Sequence, residues 1–153
     1  MKKEQELLNF HALAVVPYKY SVGPEGSRFL AEIRDNKRFM GTKCPKCGKV
    51  YTPARKLCGP CFTTMDEWVE LPDTGTLMAF AVVNMYFIDP KTGEPAQVPY
   101  AYGYIKLDGA DTTISVLLDE LDESKLQRGM KMKAVFNEER VGLLTDIKYF
   151  TAV

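Results

Sequence analysis

The chain has 153 residues and no net charge, because 20 basic residues balance 20 acidic ones. This length allows one ordinary domain, or a small module joined to a domain of about 90 residues. A hydrophobic content of 46% is enough for a real core, and the lack of internal repeats and low-complexity segments excludes a repeat protein.

The charges are unevenly distributed along the chain. Residues 37–65 contain seven basic residues and no acidic one, whereas residues 66–153 contain eight basic and fifteen acidic residues. The basic segment favours an anionic partner. A solvated lysine-rich face explains the same charges equally well, so both interpretations stand at this point.

The first 40 residues predict an N-terminal helical segment. Its apolar run at 7–16 is interrupted by Asn9 and His11 and ends at Pro17, so it is a poor signal peptide and too short to span a membrane. We therefore expect a cytoplasmic protein that does not associate with membranes.

Residues 27–37 predict a helix that leads into the next segment. Phe29, Leu30 and Ile33 fall on one face of this helix. This apolar face can pack against the C-terminal part of the same chain or against another protein, and the sequence leaves both alternatives open.

Residues 41–71 contain all four cysteines, in two Cys-x-x-Cys pairs formed by Cys44 with Cys47 and Cys58 with Cys61. Two pairs at this spacing can hold one Zn²⁺ in a tetrahedral shell. Gly48 can adopt a positive φ that turns backbone N–H groups toward sulfur. The segment therefore predicts a rubredoxin-like ribbon with structural zinc, in which the second pair is the less regular.

The four cysteines allow three other interpretations. Two disulfides are disfavoured because the chain shows no secretory signal and disulfides are rare in reducing compartments. A dithiol redox role needs a thioredoxin-type context that the sequence lacks. Iron in a tetrahedral thiolate shell remains the alternative to zinc.

Residues 72–153 predict five strands and a short helix. The strand-like runs cover 76–88, 100–107, 112–118, 130–136 and 143–150, and the helical segment at 119–128 lies between the third and fourth. This is the element order of a five-stranded OB-fold barrel. The sequence thus predicts a mainly β chain with a helical segment at 1–40, a zinc ribbon at 41–71 and an OB-fold domain at 72–153.

Several residues and short segments, spread over most of the chain, resemble the pattern of a known family. They join the cysteine spacing to the barrel in a fixed order: Phe29, 41–48, 51–55, 58–62, Trp68, Glu70, 75–76, 99–100 and 129–130. In these landmarks the chain is similar to the zinc-ribbon/OB-fold proteins, formerly a domain of unknown function, that are associated with thiolase-type acyl-CoA enzymes.

The resemblance implies an accessory subunit in a hetero-oligomer with a thiolase-superfamily catalytic subunit. In such complexes the leading segment and the ribbon dock on the partner, and the small subunit helps to shape the acyl-CoA site. The candidate docking residues are then Tyr18, Tyr20, Phe29, Leu30 and Ile33. The loop at 89–99 is a candidate to reach the acyl group, from its position alone.

The residues themselves argue against independent catalysis. A thiolase needs a nucleophilic cysteine and a general base. The metal uses all four thiols, and His11 is the only histidine. We therefore expect no catalytic residue in this chain, and the partner's own cysteine and histidine would perform the carbon–carbon chemistry.

Basic residues of the ribbon are the candidates for contact with the phosphates of CoA. They are Lys43, Lys46, Lys49, Arg55 and Lys56. Nucleic acid is the first alternative partner, because ribbons and OB-folds both bind it elsewhere, but the acidic barrel argues against it. The second alternative is a purely structural adaptor that makes no contact with CoA.

Overall fold

The computed structural model describes residues 20–86, 88, 93–95 and 97–153, which form a mainly β chain with one α-helix. Helix α1 (Gly23–Asn36) is followed by β1 (Phe39–Lys43), β2 (Val50–Tyr51) and β3 (Glu67–Leu71), which form a sheet in the order β2-β1-β3. The remaining strands are β4 (Thr74–Val83), β5 (Tyr100–Leu107), β6 (Ile114–Leu118), β7 (Lys131–Phe136) and β8 (Ile147–Ala152). They close a barrel in the order β4-β5-β6-β8-β7, with a short 3₁₀ turn before β7. The predicted fold class is confirmed, whereas the domain bounds at 40 and 71 stay a prediction.

Helix α1 begins four residues earlier than the sequence predicted. Pro24 lies in its first turn. The backbone N–H groups of the first turn have no acceptor within the helix, so the N–H that proline lacks costs no hydrogen bond there. The helix ends where Lys37 adopts a left-handed conformation with φ of 54°, and its N–H donates to the Ile33 carbonyl at 3.2 Å. The start and stop of this helix therefore follow from local backbone chemistry.

The apolar face of α1 covers the chain's own core. Phe29 and Ile33 are buried and belong to one hydrophobic cluster with Phe39 and barrel residues such as Leu77. Of the two alternatives left open by the sequence, the structure shows the first for these two residues. Their side chains are therefore not available to a partner in this conformation.

Phe39 joins the three-stranded sheet to the barrel. This β1 residue is fully buried, and its ring centroid lies 5.5 Å from that of Phe136 and 6.2 Å from that of Phe150. The two partner rings belong to β7 and β8 respectively. The ribbon's sheet and the barrel thus share one core, which fixes the orientation of the metal-binding loops relative to the barrel.

The loop between β7 and β8 is organised around one buried carboxylate. Asp146 accepts hydrogen bonds from the backbone N–H groups of Val141 at 3.0 Å, Gly142 at 2.7 Å and Leu143 at 3.2 Å. Burial opposes its ionisation, but these donors outweigh burial and hold the pKa of Asp146 below its ordinary value. The charged carboxylate therefore stabilises the loop that contacts α1.

Asp146→Asn is expected to lower the free energy of unfolding by about 1–3 kcal/mol at pH 7, because the amide nitrogen faces N–H donors. Since folding lowers the pKa of Asp146, its contribution is present above the unfolded pKa and lost as pH falls through the folded pKa. The difference between wild type and variant should therefore shrink below about pH 4 in urea melts. Asp35→Asn is the control, because this exposed carboxylate pairs only with neighbouring Arg34 among the described residues. An equal loss at pH 7 and pH 2 would contradict this account.

Candidate metal centre and ribbon surface

The four cysteines form one cluster at the end of the ribbon. The sulfur atoms of Cys44, Cys47, Cys58 and Cys61 all lie within 4.8 Å of one another, and those of Cys47 and Cys58 are 3.7 Å apart. A tetrahedral site with Zn–S bonds of about 2.3 Å requires sulfur atoms about 3.8 Å apart. The thiols are free, so the structure shows one shared cluster instead of two disulfides. This donor set fits a structural zinc ion.

The two knuckles share one backbone pattern. The N–H of Gly48 donates to the Cys44 carbonyl, and the N–H of Phe62 donates to the Cys58 carbonyl, each at 2.9 Å. Both donors have a positive φ, of 74° at Gly48 and 51° at Phe62. The expected left-handed conformation of Gly48 is confirmed. The expectation of a less regular second knuckle is wrong, because Phe62 adopts the same conformation without being glycine.

The thiols of Cys58 and Cys61 differ in their pKa values. A hydrogen bond with the Tyr51 hydroxyl, 3.5 Å from the sulfur, lowers the pKa of Cys58 to about 6. Hydrogen bonds with Cys47 and burial raise the pKa of Cys61 to about 12. The thiols alone therefore share protons, whereas a divalent metal would hold all four as thiolates.

Tyr51 and Met65 form the small core behind the metal site. Both are buried and cluster with Cys44 and Cys58. Trp68 and Phe62, the other two aromatic residues of the ribbon segment at 41–71, behave differently. Trp68 is half-buried beneath the Arg28 guanidinium at 4.2 Å, and Phe62 is exposed. Only Tyr51 thus serves the core next to the metal.

Four hydrogen bonds tie β2 and the adjacent Thr52 to the barrel loop that precedes β6. Val50 donates its N–H to the Asp111 carboxylate at 2.9 Å and accepts from the Asp111 N–H at 2.8 Å. The Thr112 hydroxyl accepts from the Thr52 N–H at 2.8 Å and donates to the Thr52 carbonyl at 2.7 Å. These bonds extend the shared core up to the base of the knuckles.

Thr112→Val is expected to weaken this connection, because it leaves both polar groups of the buried Thr52 backbone without their partner. The expected cost is about 1–3 kcal/mol, with faster amide exchange at Thr52 than at β5 of the barrel. Thr112→Ser keeps the hydroxyl and serves as the matched control. Equal exchange rates in both variants would show that the hydroxyl does not hold the ribbon.

The predicted anion-binding residues lie on the ribbon in two different settings. Lys43 is 3.5 Å from the Glu67 carboxylate, and Arg55 lies 6.0 Å from the centre of the Tyr51 ring. Lys46, Lys49 and Lys56 are exposed, and within the described part of the chain they form no salt bridge. The binding of CoA at these residues stays a prediction.

The predicted docking residues also differ in their exposure. Tyr18 lies outside the described residues, Tyr20 is exposed and Leu30 is half-buried. Phe29 and Ile33 are buried, as described above. Phe62 was not among the predicted docking residues, although the glycine at the equivalent position of the first knuckle could have signalled a special backbone position.

Three surface grooves, of about 330, 300 and 430 Å³, lie on the barrel. Each is lined by barrel residues, and the first lies beside Leu117 and Leu144. The ribbon cations border none of these three grooves. Residues 89–92 and 96 of the loop at 89–99, which was predicted to approach an acyl group, lie outside the described residues. Among the described helices, none is long and apolar enough to cross a membrane.

Comparisons with known proteins agree with this architecture. The family model for the ChsH2 rubredoxin-like zinc ribbon domain matches residues 31–66, and that for the ChsH2 C-terminal OB-fold domain matches residues 68–137. A DUF35 domain-containing scaffold protein from Methanocaldococcus jannaschii is 30% identical over 105 residues, which cover 68% of this chain and 71% of that protein.

Two solved structures share the fold at 18% identity. One is a DUF35-family protein of unknown function from Sulfolobus solfataricus, with a TM-score of 0.59 over 86% of this chain and 87% of that one. The other is a chain of the Ltp2-ChsH2(DUF35) aldolase, with a TM-score of 0.62 over 88% of this chain and 98% of that one.

Proposed function

Because this chain belongs to the DUF35 family of zinc-ribbon/OB-fold proteins, we propose that it is the non-catalytic scaffold subunit of a thiolase-type complex. The complex would act on acyl-CoA thioesters, with 3-oxoacyl-CoA as the expected class. The chain would dock on the catalytic subunit and help to shape its acyl-CoA site.

The closed cysteine cluster is the observation that carries this proposal. All four cysteines of the chain converge on one site, and a zinc ion with four thiolate ligands keeps no open position for water or substrate. Neither the metal nor a thiol is then free for chemistry. The closed cluster would instead hold the ribbon surface in a fixed shape, as a scaffold protein needs in order to bind a partner.

A role for the ribbon cations in holding CoA is the finer part of the proposal. Lys46, Lys49 and Lys56 are exposed without an ion pair among the described residues, and Arg55 is exposed beside Tyr51. Since they border none of the three barrel grooves, the phosphates would lie on an open surface that the catalytic subunit completes. Such a shared site gives each partner part of the binding energy.

Affinity purification of the full chain from its own host, followed by mass spectrometry, tests the scaffold role. We expect a thiolase-superfamily subunit to co-purify in a fixed ratio that survives a wash in 0.5 M salt, on the order of three times the physiological ionic strength. Salt-sensitive recovery of nucleic acid in place of such a subunit would support the alternative function and contradict the proposal.

A second measurement separates the CoA role from a purely structural one. Arg55→Ala combined with Lys49→Ala should raise the KM of the complex for acyl-CoA while leaving assembly intact. Lys106→Ala, on the exposed side of β5, is the matched control. Unchanged KM together with normal assembly would favour the structural adaptor.

A further inference from the structure

The outer side of strand β5 carries tyrosines where a sheet that faces water usually carries charged residues. The residues at 101, 103, 105 and 107 are buried, so Tyr100, Tyr102 and Tyr104 point away from the core by strand alternation. Tyr104 is 46% exposed, and the other two tyrosines are half-buried. An antiparallel sheet that packs on the core with one face usually presents polar side chains on the other. Three aligned tyrosines on that side therefore indicate an interaction surface.

The strand register places a small or apolar residue on each side of two of these rings. Directly opposite residues of neighbouring strands share one face of a sheet, so each row across β4, β5 and β6 forms a continuous strip. A tyrosine ring stands higher above the sheet than an alanine methyl group, so the strips contain both ridges and hollows. We refer to the following six residues as the tyrosine face: Ala79, Tyr104 and Ser115 in one row, and Ala81, Tyr102 and Leu117 in the next.

Charged residues lie only beyond the two ends of the tyrosine face. Residues 66–153 contain fifteen acidic and eight basic residues, but none of the six is charged. Lys106 follows Tyr104 on the outward side of β5, and Asp119 follows the last residue of β6 at the opposite end. Both are exposed, and neither forms a salt bridge with another residue that the structure describes. An uncharged aromatic centre with a charged rim is the typical composition of a protein interface.

We propose that the tyrosine face pairs with the same face of a second copy of this chain. The two barrel sheets pack face to face, and the rings of each copy enter the hollows above the alanines of the other. Aligned sheets that pack in this way cross at about 30°, which brings rings over neighbouring rows. All six residues belong to the barrel, so the ribbon stays free for the catalytic subunit. The inference goes beyond the proposed function and does not depend on it.

The shape of the face favours a second copy over an unrelated partner. A two-fold interface uses the same patch on both subunits, so the patch must contain both halves of the fit. Here the ring of Tyr104 lies directly beside the hollow at Ala79, and the ring of Tyr102 lies beside Ala81. Nucleic acid fits less well, because the face offers no cation to a phosphate.

The charges at the two ends specify the orientation of the pair. A two-fold axis that lies in the interface and runs perpendicular to the strands places the two copies of β5 in opposite directions. Lys106 of each copy then lies at the end where Asp119 of the other copy lies. An axis parallel to the strands would instead bring the two copies of Lys106 to the same end, where like charges repel. The antiparallel arrangement is therefore the one that we assign.

Analytical ultracentrifugation of the zinc-loaded full chain, over a concentration series, tests the pairing. We expect a dimer of twice 17.3 kDa. Tyr104→Glu introduces a carboxylate into the face at an exposed position, and we expect it to raise the dimer Kd at least about tenfold. Phe62→Glu makes the same exchange of an aromatic ring for a carboxylate on the ribbon, at a side chain that is 82% exposed. This matched control should keep the Kd within about twofold of wild type.

Charge exchange at the two ends tests the orientation. Lys106→Asp and Asp119→Lys should each weaken the dimer by about two- to fivefold, as expected for an exposed ion pair. The double variant should regain the wild-type Kd, because it restores opposite charges at both ends. A double variant that stays weaker than both single variants would overturn the antiparallel arrangement.

The outcomes also separate the inference from the proposed function. A wild-type chain that remains at 17.3 kDa throughout the series overturns the inference, and so does a dimer that Tyr104→Glu leaves intact. A monomeric chain whose Tyr104→Glu variant no longer binds the catalytic subunit assigns the face to that subunit and overturns the pairing of copies. The absence of any co-purifying thiolase-type subunit would contradict the proposed function alone.

Discussion

Cys44→Ser and Cys58→Ser are each expected to abolish stable zinc binding and to unfold the ribbon. Structural zinc contributes on the order of 10 kcal/mol to the folding of small zinc modules, and a serine hydroxyl does not replace a thiolate ligand. The small core of Tyr51 and Met65 is organised around the buried sulfur atoms of these two residues. Loss of one ligand should therefore release the knuckles and, with them, the catalytic subunit.

Metal analysis and amide exchange together measure this effect. Zinc should fall from about one ion per chain to a trace, and the amides of Val50 and Thr52 should lose protection, whereas β5 and β6 of the barrel keep theirs. Lys46→Ala is the matched control for folding, because it changes the same knuckle without touching a ligand. A serine variant that keeps full ribbon protection without metal would refute the structural role of zinc.

Phe39→Ala is expected to cause the largest loss of stability outside the metal site. Removing a fully buried phenylalanine costs about 3–5 kcal/mol, and this one contacts Phe136 and Phe150 across the boundary between ribbon and barrel. For a chain of this size the melting temperature should fall by roughly 10 °C. Since the ring joins both parts, we also expect less cooperative unfolding.

Thermal and urea melts followed by circular dichroism test this expectation. Tyr86→Ala, which truncates an aromatic side chain that is 65% exposed, should change stability by less than about 0.5 kcal/mol. A loss below about 1 kcal/mol for Phe39→Ala would mean that the ribbon and barrel do not share a core in solution.

The metal site and the barrel order were predictable because their signals are local. The cysteine spacing specifies the donor set, and alternating apolar residues separated by turns specify the strands of the barrel. The sequence did not indicate β1 and β3. Their pairing joins residues far apart in the chain, such as Thr42 with Trp68, and no local pattern encodes such a pairing.

The surfaces were harder to predict for a physical reason. The apolar face of α1 looks the same in the sequence whether it meets its own barrel or a partner, and only the folded structure buries Phe29 and Ile33. Conversely, Phe62 directly follows Cys61, and nothing in its sequence position shows whether its ring is buried or exposed. Its exposure became visible only once Tyr51 and Met65 were seen to fill the ribbon core.

Turnover of acyl-CoA by the reconstituted complex tests the central claim most directly. The proposed catalytic subunit, identified by co-purification, would be assayed against a panel of 3-oxoacyl-CoA thioesters, alone and with the zinc-loaded chain. The account predicts activity that depends on the chain and saturates at a fixed subunit ratio, with none from the chain alone. Equal turnover of the catalytic subunit with and without the chain would contradict it.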